Sequence, residues 1–124
     1  MKPLLLGLLV VASVVTTSVT VSVTLSTRAS AAGPEKKKFT GTITDSMCAT
    51  ADHSHMRMGP TDAECTIACI NEHGALYVLY DGKEVYTLSD QKTPGKFAAK
   101  KVTVTGTLDA KTKTIQVESI VAAK

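Results

Sequence analysis

Apolar and polar residues alternate along Phe39-Thr40-Gly41-Thr42-Ile43-Thr44, with Phe39, Gly41 and Ile43 on one side and threonines on the other. A period of two sends alternate side chains to opposite faces, so this stretch predicts a half-buried strand ending at Asp45-Ser46. Residues 46–60 have no period and contain Gly59-Pro60, which predicts a long loop; a loop of that length is usually functional or disordered. A helix should follow. Thr61 can cap it, Glu64 three residues later completes a capping box, and Asp62 and Glu64 suit the positive end of its dipole. It should run to about His73 and stop at Gly74, the residue type that tolerates a left-handed C-terminal turn.

The remainder reads as strand. Ala75 to Tyr80 and Glu84 to Leu88 flank Asp81-Gly82, a hairpin turn signal. Pro94 and Gly95 interrupt Lys92 to Ala99, leaving room for a single helical turn around Phe97. Lys101 to Leu108 alternates, with Val102, Val104, Gly106 and Leu108 inward and three threonines outward. After a turn at Asp109 to Lys113, Ile115, Val117 and Val121 form the last strand; Ile120 breaks the alternation, so a bulge is expected near Ser119. The pattern predicts a mainly β domain with one helix: a small five-stranded antiparallel barrel, closed or half-closed, with the long loop and helix inserted after the first strand.

The chain has 124 residues, room for one domain. Lys2, the apolar run from Leu4 to Val15 and the small-residue site Ala29-Ser30-Ala31 read as a secretory signal peptide over residues 1–31. The apolar character runs on to Leu25, diluted by Thr and Ser, so a leader retained as a membrane anchor is the alternative. Residues 32–38, with three consecutive lysines, read as a solvated linker, and residues 39–124 as the domain, with an insertion at 45–74. Localisation is then periplasmic or extracellular. Lys2 and Arg28 depart with the leader, so the 14 basic residues become 12 against 11 acidic ones. That near balance gives no electrostatic reason to expect nucleic acid or a membrane surface as partner. The chain has no Trp and only five Phe and Tyr, too few for a base-stacking surface.

One stretch, DSMCATADHSHMRMGPTDAECTIACINEH, holds every cysteine and histidine and every methionine but the first. Cys65, Cys69 and His73 recur every four residues, and on a helix each such step gains about 40°. All three therefore share one stripe, beside a separate stripe of Ala63, Ile67 and Ile70 that is the expected core face. The thiol stripe can face the loop carrying Cys48, His53, His55, Met56 and Met58. Thiolate, imidazole and thioether are soft to borderline donors that suit copper, particularly Cu(I), and zinc. Cys48, Cys65, Cys69 and His73 would make a closed Cys3His zinc shell. Adding His53, His55, Met56 and Met58 favours copper, because thioethers are poor zinc ligands.

Two other readings use the same cysteines. Outside the cytoplasm Cys48 could be disulfide-bonded to Cys65 or Cys69, tying loop to helix in an envelope interaction module with a protein partner and no metal. A Cys65–Cys69 bond within one regular helix would be strained. An odd cysteine also permits a thiol redox protein. Met47 reads as core and His73 as a dipole partner, while Asp45, Asp52 and Asp62 read as solvated or capping. There is no nucleophile elbow, no Gly-rich phosphate loop and no complete catalytic constellation, so the chain does not read as an enzyme.

Two resemblances add to this. CTIACINEH resembles the ligand loop of binuclear copper A domains, a match of nine residues that would make Cys65, Cys69 and His73 ligands. More broadly, GTITDSMC, AECTIACINEHGALYVLYDGKEVYTL and KKVTVTGTLDAKTKTIQVESI resemble small secreted bacterial proteins of a domain-of-unknown-function class. The last segment is similar to the closing strands of exported OB-fold proteins. This resemblance implies an exported OB-like barrel with a cysteine-bearing insertion between its first strands, and no established activity.

Overall fold

The structure is a computed structural model that describes residues 33–124; the expected leader, residues 1–31, lies outside the described residues. Its elements are β1 Lys36–Asp45, α1 Asp62–His73, β2 Tyr77–Tyr80, β3 Val85–Leu88, a 3-10 turn Thr93–Phe97, β4 Lys101–Asp109 and β5 Thr114–Ala122. The order of elements is the one expected from the alternation pattern. Lys36, Lys37 and Lys38, read as linker, are already strand: they pair with Thr107, Gly106 and Thr105 of β4. β4 runs on past the start of the alternation in β1, and its backbone groups draw these lysines into the ladder while their side chains stay solvated.

The strands pair in the order β1-β2-β3-β5-β4, and β4 pairs back onto β1, so the sheet closes in a ring. It is a mixed sheet and not the antiparallel one expected. β3 and β5 run parallel, with Thr87 opposite Thr114 and Leu88 opposite Ile115. The reason is parity: directions that alternate around a closed ring need an even number of strands, and a ring of five must contain a parallel pair. The chain makes that pair by leaving β3 through the 3-10 turn and crossing to β4 before β5 returns.

Ile43, Tyr77, Leu79, Leu88, Val102, Val104 and Ile115 form the buried core, with Phe39, Ile70, Tyr86, Phe97, Leu108, Val117 and Ile120 packed against it. The inward positions of β1 and β4 are those the alternation marks. In β5 the register shifts: Thr105 faces Ser119 while Gly106 faces Val117, so Glu118 is the extra residue of a bulge. The bulge flips the remaining side chains by one position. Ile120 therefore packs on the core and Val121, expected inward, is 55% exposed. Gly106 sits at this point because a side chain there would collide with the backbone of Gln116.

Candidate metal centre

The site lies where β1 ends, at the mouth of the loop that precedes α1. Phe39, Gly41, Ile43 and Asp45 share one face of the strand, and Asp45 carries that face one step beyond the apolar core. Its side chain is fully buried. One carboxylate oxygen accepts the backbone N–H groups of Met47 (3.0 Å) and Cys48 (2.9 Å), winding the chain into a tight turn. Thr44 Oγ1, also buried, donates to the Cys48 carbonyl at 2.8 Å. These bonds fix Cys48 against the strand end. The long loop is thus anchored in place at its start.

The second carboxylate oxygen of Asp45 faces His53 Nε2 at 3.3 Å, and the same nitrogen lies 3.1 Å from Thr66 Oγ1 on α1. His53 is 3% exposed, and its other ring nitrogen is buried without a hydrogen-bond partner, 3.8 Å from an Asp62 carboxylate oxygen. His53 therefore reads as the post that ties strand end, loop and helix together. Arg57 closes the loop farther along, donating to the Pro60 carbonyl at 3.0 Å and to Asp62 at 3.2 Å.

The helix starts and stops where its caps dictate. Thr61 Oγ1 accepts the Glu64 N–H at 3.2 Å, the Glu64 carboxylate accepts the Thr61 N–H at 3.1 Å, and Gly74 takes the left-handed conformation at φ 64°. Its buried face is not the expected one. Cys65, Thr66 and Cys69 are buried, Ile70 reaches the core, and Ile67 is 37% exposed. At about 100° per residue, Ile67 points away from the Cys65–Cys69–Ile70 arc. The helix packs on β1, with Ile70 turned to the ring's core and Ile67 left outside the contact. Small, polarisable thiols fill that contact, as buried cysteines do.

Two of the three thiols meet there, and the third lies beside them. Among the described residues one group of three or more potential ligands has its donor atoms within 4.8 Å of one another: Asp45, Cys48 and Cys69, all buried. Cys65 adjoins it, since its thiol is among the neighbours that push up both Cys48 and Cys69. Burial is the largest cause of both shifts and the Asp45 charge the next; together they push Cys69 from 9.0 up to about 11. Cys48 moves in the same direction for the same reasons. Cys65 Sγ donates to the Met56 carbonyl at 3.1 Å and accepts the Met58 N–H at 3.2 Å.

Of the residues marked in the sequence, the fold brings together Cys48, Cys65 and Cys69, with His53 behind Asp45. His55 and His73 are exposed and stand outside the group. Met56 and Met58 lie over Cys65 by their backbones while their side chains are about 40% exposed. Met47 is 45% exposed, not core, because the Asp45 turn directs it outward. Asp45 is the residue that reading the sequence as solvated or capping places wrongly: it caps, but from full burial. The alternation from Phe39 through Ile43 already assigns it to the inward face. Among the described residues no helix is long and apolar enough to cross a membrane. Comparison with protein-family models, with curated proteins and with solved structures finds no match to this chain.

Proposed function

We propose that this is an exported copper-binding protein, with zinc as the second ion, that buffers or transfers its metal from a thiolate site on a small OB-like barrel. The observation that carries this reading is the convergence of two thiols, Cys48 and Cys69, with a wholly buried carboxylate at one strand end, and a third buried thiol, Cys65, beside them. Burial and a nearby negative charge keep the Cys48 and Cys69 thiols protonated, which makes these two poor nucleophiles and weighs against a thiol redox role for them. A cation reverses that balance, because it stabilises each thiolate as the proton leaves. Sulfurs sharing one tetrahedral ion sit about 3.8 Å apart for metal–sulfur bonds of about 2.3 Å. Cys48 and Cys69, within 4.8 Å, need only a small closing motion to reach that spacing.

Cys48, Cys65 and Cys69 are the proposed ligands, Asp45 the fourth donor or counter-charge, and His53 its support. Three thiolates suffice for Cu(I), which accepts three soft ligands and leaves Asp45 as counter-charge, whereas zinc would take the Asp45 oxygen as its fourth ligand. The five-stranded ring with its crossover from β3 to β4 fits an OB-like barrel, and the leader read in residues 1–31 supplies the export. Titrating Cu(I) into the wild type should give one tight equivalent, and the Cys65→Ser/Cys69→Ser variant should lose it. Unchanged stoichiometry in that variant would sink the reading.

A second reading has its own observation: the Cys48 and Cys69 sulfurs, within 4.8 Å, are close enough to oxidise to a disulfide. The protein would then be a stapled envelope module whose sheet meets a protein partner, and reduction would cost about 2–5 kcal/mol of stability.

A further inference from the structure

The described residues contain three methionines, Met47, Met56 and Met58, and none is in the core; they are 45%, 40% and 39% exposed. A flexible thioether normally fills gaps inside a protein. Here half of the large apolar side chains left in solvent are methionines: the others are Ile67, Leu76 and Val121. Their placement is not scattered. The Met56 carbonyl and the Met58 N–H are the two groups that hold Cys65 Sγ, at 3.1 and 3.2 Å. Met47 flanks Cys48, and their N–H groups share one Asp45 oxygen. The backbone of Met56 and Met58 thus touches one buried thiol, and Met47 is the chain neighbour of another. Among the described residues no pocket opens onto the thiols, and the backbone of Met56 and Met58 lies against Cys65 Sγ.

Resting on the copper reading above, we infer that Met56 and Met58 form an external thioether landing site that captures Cu(I) and hands it to Cys65. Thioether is a neutral, soft donor that binds Cu(I) in water without losing a proton and has little affinity for zinc. Arg57 between them is turned aside: its guanidinium is held by the Pro60 carbonyl and Asp62. The hand-over is a ligand exchange at constant oxidation state. A copper–thioether bond breaks, a copper–thiolate bond to Cys65 forms, and the Cys65 proton, now donated to the Met56 carbonyl, leaves to solvent. The Met58 N–H then faces a thiolate, a stronger acceptor than the thiol. Neutral landing ligands followed by buried anionic ones give a direction to the transfer. They also select Cu(I) at entry, before the thiols are reached.

The test compares the wild type with Met56→Leu/Met58→Leu, a change that keeps size and apolar character at exposed positions. Cu(I) is delivered from its bicinchoninate complex in stopped flow, and Zn(II) uptake is followed in parallel. The inference expects Cu(I) loading roughly tenfold slower in the variant, the equilibrium stoichiometry kept and zinc loading unchanged. In the Cys48→Ser/Cys65→Ser/Cys69→Ser variant carrying 13C-methyl methionine, Ag(I), a redox-stable stand-in for Cu(I), should shift the Met56 and Met58 methyl signals. Equal loading rates, or methyl signals that do not move, overturn the landing site while leaving the thiolate site standing. A wild type that takes up no copper removes both.

Discussion

Asp45 does two things with one carboxylate. It winds the turn that presents Cys48, and it holds His53 between β1 and α1. Asp45→Ala removes both and strands a buried imidazole, so it should cost about 1–3 kcal/mol, read as the change in the urea midpoint with an unchanged slope. Cys69 makes a pH prediction. Its thiol is pushed from 9.0 up to about 11 in the fold, so the folded chain holds that proton more tightly than the unfolded one. The stabilisation is therefore complete below pH 9 and is lost as pH rises through about 11. Urea midpoints of the metal-free protein from pH 8 to 11 should fall, and in Cys69→Ser the fall should shrink. The soft residues of this site are legible in the sequence because they cluster. Their partners are less so: the β1 alternation points Asp45 inward, but burial of His53 depends on α1 closing over the loop, a tertiary event that no local pattern records.

The helix contributes position, and its ends were readable from Thr61, Glu64 and Gly74 because caps are local chemistry. Its buried face was not. Hydrophobicity points to Ala63, Ile67 and Ile70, yet the contact surface is a loop and a strand end held by polar groups, and small thiols fit it better than Ile67. Thr61→Ala should lower stability by about 1 kcal/mol and loosen the first turn, which carries Cys65. Alkylation of Cys65, followed by mass spectrometry of its peptide, should then quicken more than alkylation of Cys69. Equal changes at both would mean that the helix opens as one unit. The bulge in β5 is a similar case: the sequence marks the break in alternation at Ile120, but only pairing with β4 locates the extra residue at Glu118.

Across the molecule, the ring and the site are separate loads on one strand. β1 pairs with both β2 and β4 and so closes the ring, and its last residue, Asp45, stands in the candidate metal site. Leu79→Ala, a cavity in the core, should cost about 2–5 kcal/mol yet leave metal stoichiometry intact below the unfolding transition. The parallel pair β3/β5 escaped the alternation pattern because strand direction is a property of closure, not of any single segment. The central claim, that the three thiols hold a metal ion, is met most directly by the native mass of the mature protein, exported from a host supplied with copper and zinc and never reduced. The account predicts one bound copper, with the mass lowered by the protons that the ligating thiols release, and the full thiol mass once the metal is stripped by acid. A mass two hydrogens light with no metal would contradict it and leave the Cys48–Cys69 disulfide as the role of this site.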